Sequence, residues 1–595
     1  MTRTITGVTA FGIAVLMATA HGQVGRGGSA WLTARGDAQR TSWIRSDALI
    51  SVQAMSKPGF ALQWKTTLDN ANRKDYGIGG GVSAPGVTLF VPMQLVTGSS
   101  NNVYAIDSDT GYLVWQRHFD AALPAVTDAC PGGTLSAATR LVSAAPPAAA
   151  ATPERGGGGR ATQGYHSVLG QPGEGAPVEV RGGGPGRGGA APAGGRGAAG
   201  PPNATGGAPP AGQRADAAPG RGAGQGGGFG RGAAEPIPGA PPEQVAGGGG
   251  LNRPSGVVYA ISSDGVLHVM GLQSGKDLQK PAPFLPANSR WSEPIAVGTM
   301  LYTSTSGGCG GAPDAVWAID LESESKPVVS WKSTGPIVGA IALTNDGTVI
   351  ATVGRGAAAD QPARIVALDG KTLQLKDWFN SPMSDEDFLI GPSIFRFGNR
   401  EIVAAGTNRR IALFDAASLG GATHTQALMA AGPTDVGGLT SSSLATWQMS
   451  DAALLAPTPG STALPMLAVT PGTRWILAPT TDGVHAYRVV DQRGRPGEPQ
   501  LAPGWNWQEK SAVETPIVVN GVVFMLSHGR TASGRAGTPA MLYAYDGVTG
   551  KRLWASEKTM AAPAAPGSFW SAFGQIYVGT TDGTLYAFGF SDERH

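Results

Sequence analysis

Leu542-Tyr543-Ala544-Tyr545-Asp546-Gly547-Val548-Thr549-Gly550-Lys551-Arg552-Leu553-Trp554 reads as strand, tight turn, strand. Apolar residues alternate into the first strand. Asp546 can hydrogen-bond the backbone of its own turn, and Gly550 supplies the positive φ that a tight hairpin needs. A near-copy lies far upstream, Val103-Tyr104-Ala105-Ile106-Asp107-Ser108-Asp109-Thr110-Gly111-Tyr112-Leu113-Val114-Trp115. Weaker copies keep part of the unit. Ala318-Ile319-Asp320 leads to Trp331, Ala367-Leu368-Asp369 with Thr372 leads to Trp378, and Ile411–Asp415 keeps the strand and the acid without a following Trp. Repetition of one hairpin unit at intervals, in phase with other strand signals, predicts a radial all-β array.

The unit resembles the tryptophan-docking repeat of quinoprotein-like (PQQ-repeat) β-propellers, with the pattern Ala-x-Asp-x-x-Thr-Gly-x-x-x-Trp. Ala105, Asp107, Thr110, Gly111 and Trp115 match it fully, as do Ala544, Asp546, Thr549, Gly550 and Trp554. The resemblance implies that each Trp docks against a neighbouring blade. It covers about residues 60–143 and 254–590.

The chain order predicts eight blades, or seven if blade six or blade two is not a separate unit. Blade one runs from Gly81 to Trp115, with Val87–Val91 and Val103–Asp107 as strands. Blade two begins near Leu135–Ser143 and resumes with the hairpin Gly256–Ile261 and Val266–Met270. Blade three is Trp291–Trp331, blade four Gly339–Trp378, and blade five Leu389–Asp415. Blade six is about Ser442–Trp507 and blade seven Thr515–Trp554. Phe60-Ala61-Leu62-Gln63-Trp64-Lys65 reads as the end of a repeat without a beginning, and Gln575–Phe588 as a beginning without an end. Closure of blade eight by the N-terminal strand explains both and removes free sheet edges.

Two flanking regions carry other signals. Residues 1–22 read as an export signal: Arg3, an apolar run from Ile5 to Met17, and small residues at Ala18-Thr19-Ala20. No Cys follows, so a lipid anchor is not expected, and the apolar run is too short to span a membrane. Residues 23–143 hold the closing strand, blade one and the start of blade two. Residues 144–253 are mostly Gly, Ala, Pro and Arg, a composition that cannot bury enough apolar surface to offset chain entropy, and a disordered insertion is expected there. Residues 254–590 hold the remaining blades. The expected location is the periplasm or the outside of the cell.

Net charge is +2 with 14% charged residues, so no clustered basic face for nucleic acid is expected. Gly77-Ile78-Gly79-Gly80-Gly81 lacks the strand-before, helix-after setting of a phosphate loop.

The two cysteines, Cys130 and Cys309, exclude an attached c-type haem and a zinc cluster. In a four-stranded blade, the loop entering a blade and the loop between its second and third strands share one end. Cys130 enters blade two and Cys309 lies between the second and third strands of blade three. A Cys130–Cys309 disulfide is therefore expected in an oxidising compartment, with two free thiols as the other state. No metal set is assigned. The acidic run Asp385-Glu386-Asp387 enters blade five at that same end and could offer clustered oxygens to a hard cation; a solvated loop is the plainer reading. Glu293, Arg140 and Trp291 also fall near blade starts, and His268 sits alone on a strand, opposite in facing to Leu267 and Val269.

The resemblance implies two different functions. One is a binding or scaffold protein of the cell envelope, like the outer-membrane assembly propellers, with a protein partner or small ligand. The other is a PQQ-dependent dehydrogenase of alcohols or sugars, whose family places the quinone and a calcium or lanthanide ion in the central funnel beneath a vicinal Cys-Cys pair. This chain has no Cys-Cys, so the scaffold reading leads, with no cofactor assigned. A third reading, a carbohydrate-binding propeller, would use Trp505 and Trp507 for stacking.

Overall fold

The structure is a computed structural model that describes residues 31–45, 47–68, 81–84, 94–99, 101–121, 130, 139–142, 256–358, 360–408, 410–429, 439, 443–449, 472–480, 483–508, 514–529 and 538–591. The export signal, the 144–253 insertion, Gly77–Gly80 and Val87–Val91 lie outside these residues.

The described strands form eight sheets, the blades of a β-propeller. Blade one is Val82–Ala84, Gln94–Ser99, Asn102–Asp107 and Leu113–His118. Blades four, six, seven and eight likewise show four strands in sequential antiparallel order. In blade five three strands are paired, and Met429 takes the place of the fourth by exchanging backbone hydrogen bonds with Leu413. Blade eight is closed by Phe60–Thr67, which pairs antiparallel with Thr584–Phe590 from Phe60↔Phe590 to Thr67↔Thr584. The second described strand of blade one is Gln94–Ser99.

Blade two differs from its expected form in one respect. Thr139 exchanges backbone hydrogen bonds with Tyr259 on the second strand of that blade. Leu141–Val142 then leaves it and pairs in parallel with Ile295–Val297, the first strand of blade three. The same short run thus bridges two blades.

The conserved-looking acid of each unit folds its own turn. Asp107 Oδ1 accepts from the backbone N–H of Asp109 and Thr110, and Asp546 Oδ1 from Val548 and Thr549. Asp320 and Asp369 do the same in the partial copies, and Asp415 Oδ1 accepts from Ala417 N. The turn glycines have φ of +73° at Gly111 and +67° at Gly550. Leu373 occupies the corresponding place in blade four at +56°, a conformation that costs a non-glycine residue about 1–2 kcal/mol.

These glycines also explain the tryptophans. Trp64, from blade eight, donates Nε1–H to Ser108 O at 2.8 Å, and its ring lies over Gly111 of blade one. Trp115 of blade one donates to Leu272 O at 2.8 Å and covers Gly275 of blade two. Trp505 of blade six donates to Gly547 O at 2.9 Å and covers Gly550 of blade seven. Each ring rests where a Cβ would stand, so the turn glycine of one blade is the seat for the Trp of the blade before it. Trp554 has no such seat among the described residues and packs against Phe60 and Phe588 of blade eight, with ring centroids 5.0 and 5.6 Å away.

Residues 31–44 form a second ring inside the first. Trp31 O accepts from Ser83 N in blade one, and Leu32 O from Arg140 N beside blade two. Thr33 donates its hydroxyl to Pro294 O in blade three. Ala38 O then accepts from Leu343 N in blade four, Gln39 O from Ile394 N in blade five, Thr41 O from Thr446 N in blade six, and Ser42 O from Val518 N in blade seven. Trp43–Ile44 ends the circuit in parallel pairing with blade seven. The first strand of a propeller blade presents its backbone donors to the axis, and here the chain itself accepts them. The short helix Val52–Met55, capped by Ser51, carries the chain out to the closing strand.

Candidate functional site

A cluster of charged side chains lies at the end of the axis where chain segments enter the blades. Glu514 enters blade seven, His528 follows that blade's second strand, Gly567 lies in the bulged first strand of blade eight, and Arg35 projects from the inner ring. Arg35 donates from both terminal nitrogens to Glu514 Oε1 at 3.3 Å. His528 Nε2 lies 3.1 Å from Glu514 Oε2, and Gly567 N donates to the same oxygen at 3.0 Å. Thr515 N adds a 3.2 Å bond to Oε1. Burial alone would raise the Glu514 carboxyl, but the His528 hydrogen bond and the Arg35 charge carry it well below the usual carboxylate range.

Arg40, 1% exposed, anchors the ring beneath this cluster. It donates to Ile341 O, Ala34 O and Glu293 O at 2.9, 2.6 and 2.9 Å. Burial lowers its pKa to about 10, with Glu293 acting in the opposite direction, so it remains a cation. Glu293 thus contributes its backbone to the ring, while its carboxylate Oε1 reaches within 4.0 Å of the position a Cβ on Gly567 would take. Arg140 is buried and donates to Ser83 O at 2.7 Å, tying blade one to the ring. Trp291 is buried in the core between blades two and three.

The other candidates fall elsewhere. Cys130 and Cys309 are bonded with their Cα atoms 5.6 Å apart, on loops of the same end of the disc. Asp385, Glu386 and Asp387 are separated in role. Glu386 is buried and held by Arg410 at 2.8 and 3.0 Å, with further bonds from Ser381 and Thr407. Asp387 Oδ1 accepts from Arg355 N, and Asp385 O from Asn408. The run fastens a loop. Among the described residues no three His, Cys, Asp or Glu side chains converge as a metal site.

His268 stacks on Phe119 at 4.0 Å and stands between Ser262 Oγ at 3.2 Å and Asp277 Oδ1 at 3.3 Å. The order is that of a nucleophile triad, but Ser262 is 1% exposed and its hydroxyl is committed to Asp264 and Val266 O within its turn. Thr344 and Thr580 make the same turn in blades four and eight. The serine is a turn residue at the blade one–blade two seam. Trp505 is used in docking, and the side chain of Trp507 lies outside the described residues.

The quinone that such propellers carry is a flat tricarboxylate held with a cation. The axial carboxylate best placed for it, Glu514, already has both oxygens occupied by four residues of this chain. The bonded cysteines are 179 residues apart rather than adjacent. The described residues do not fit that group.

Sequence reasoning missed the inner ring and its charge cluster. Their one trace is the run Arg35-Gly36-Asp37-Ala38-Gln39-Arg40 between Trp31 and Trp43, polar residues bracketed by tryptophans ahead of the closing strand.

No protein-family model and no curated protein matches the chain. Solved structures with the same propeller architecture do. The quinohemoprotein alcohol dehydrogenase of Comamonas testosteroni is 12% identical with a TM-score of 0.49, over 94% of this chain and 80% of that one. The second quinohemoprotein alcohol dehydrogenase, ADHIIG of Pseudomonas putida, is 12% identical with a TM-score of 0.48 over the same shares. BamB of Moraxella catarrhalis is 15% identical with a TM-score of 0.33, over 57% of this chain and 81% of that one. Among the described residues no helix is long and apolar enough to cross a membrane.

Proposed function

We propose that the chain is an exported binding or scaffold propeller of the cell envelope. The observation that carries this reading is the inner ring. Residues 31–44 accept backbone donors from blades one, four, five, six and seven and from Arg140 beside blade two, and donate to Pro294 O of blade three, while Glu514 is satisfied by Arg35, His528, Gly567 and Thr515. A hub built this way is rigid, and its loops at either end of the disc are free to recognise a partner or small ligand. The Cys130–Cys309 bond fits an oxidising compartment.

A PQQ-dependent dehydrogenase is the second reading. It rests on the resemblance of the repeats alone, since the cluster around Glu514 is already satisfied within the chain. Thermal unfolding with and without pyrroloquinoline quinone plus calcium, repeated with a lanthanide, separates the two. The scaffold reading expects an unchanged midpoint at high ligand and recovery of a defined envelope partner by cross-linking. A saturable rise would overturn it in favour of the dehydrogenase, since ligand at 100 times its Kd adds about 2.7 kcal/mol.

A further inference from the structure

The opposite axial mouth is built differently. It is formed where the first strand of each blade ends and the second begins. Arg474 opens the second strand of blade six, Gln448 ends that blade's first strand, and Phe395 lies near the end of the first strand of blade five. Trp43 and Arg45 arrive there as the last turn of the inner ring. The Arg45 guanidinium lies 4.7 Å from the Trp43 ring centroid, and Arg474 lies 5.4 Å from the same centroid and 5.4 Å from that of Phe395. Two cations therefore share one indole, with Phe395 as a further wall.

Their hydrogen bonding is far from complete. Arg474 is 4% exposed, yet it donates only through Nη2, to Gln448 Oε1 at 3.1 Å and weakly to Arg396 O at 3.4 Å. Its buried Nε–H has no acceptor. Arg45 stands half-buried at the rim beside half-buried Trp43, with no acceptor for its guanidinium among the described residues. The one acid acting on both cations is Asp37, whose oxygens are taken by the backbone and hydroxyl of Thr41. Burial, together with the charge of Arg45, pulls Arg474 down to about 9. Guanidinium donors left in a partly dry site are costly unless an acceptor of opposite charge completes them.

We propose that Arg45 and Arg474, walled by Trp43 and Phe395, form a binding site for an oxyanion, a carboxylate or phosphate group of a small molecule, at this mouth of the axis. Arg474 forms the floor and Arg45 the rim. The planar fork of a guanidinium suits either group, and the aromatic walls screen the contact from water. This inference does not depend on the scaffold reading, because it concerns the other end of the disc.

The test is the thermal midpoint of the full chain titrated with sodium phosphate and, separately, sodium succinate, against sodium chloride at matched ionic strength. Binding is expected as a saturable rise with one of the two oxyanions. A rise with phosphate alone identifies a phosphate site, and a rise with succinate alone a carboxylate site; either supports the proposal. Arg45→Gln should weaken the apparent affinity at least tenfold, and Arg45→Lys should recover part of it. Arg45 is at the rim, so its variants are expected to fold even where Arg474→Gln does not. Equal rises in the wild type and Arg45→Gln, or none with either anion up to about a thousandfold excess over protein, would overturn the site.

Discussion

Arg35 and Glu514 are 479 residues apart in the chain and meet at 3.3 Å, sealing the inner ring to blade seven. Both side chains are mostly buried, at 14% and 6% exposure. Glu514→Gln keeps the shape and removes the charge, leaving Arg35 without its counter-charge and His528 without its charged acceptor. Breaking a buried pair in this way costs about 3–5 kcal/mol. Urea unfolding should show that loss as a lower midpoint with an unchanged slope.

The same carboxylate sets an acid limb. Its folded pKa is depressed, so its contribution is complete above the unfolded value near about 4.3 and is lost as pH falls through the folded value. The readout is the gap in unfolding free energy between wild type and Glu514→Gln. Below about pH 4.3 it should narrow by roughly 1.4 kcal/mol per pH unit. A gap independent of pH down to 3 would mean that Glu514 is not charged in the folded protein.

Gly111 and Gly298 separate space from backbone strain. Their φ values are similar, +73° and +58°. A Cβ on Gly111 would stand 2.5 Å from Trp64 Cε3, whereas one on Gly298 meets nothing within 4 Å. Gly298→Ala should cost about 1–2 kcal/mol, the left-handed penalty alone. Gly111→Ala should cost at least about 1–3 kcal/mol more, because Trp64 must leave its seat. Equal midpoints for the two variants would show that the seat is soft.

Cys130 and Cys309 close a span of 179 residues. Chain entropy alone sets an upper figure of about 5 kcal/mol for such a loop, and removal of native disulfides commonly costs about 2–5 kcal/mol. Alkylation under denaturing, non-reducing conditions should leave the mass unchanged, and reduction should lower the thermal midpoint. Addition of two alkyl groups without reduction would remove the bond from the structure.

Glu386 and Arg410 give a control for the acidic run. Arg410→Met should leave Glu386 buried and without its cation, at a cost of about 3–5 kcal/mol.

What the sequence made legible was whatever acts locally and repeats. Asp107 and Asp546 fold their turns from within a few residues, so their spacing announces them, and Gly111 and Gly550 are required by the same turns. Blade closure was legible because Phe60–Lys65 and Gln575–Phe588 are each half of a repeated unit. The inner ring was not, since Ala38, Gln39, Thr41 and Ser42 contribute backbone carbonyls, and a carbonyl has no residue identity. Arg35, Glu514 and His528 share no spacing at all; only folding brings them together. The path of Leu141–Val142 was hidden for a related reason, because a two-residue strand looks the same whichever blade receives it.

The inner ring fixes an order of assembly. Thr33 waits for Pro294, Arg40 for Ile341, and Arg35 for Glu514, partners 261, 301 and 479 residues further on. Trp31 and Leu32 find Ser83 and Arg140 early, but the ring as a whole cannot be completed until blade seven has been made. Such long-range closure is slow, so the hub is the part of the disc that locks late.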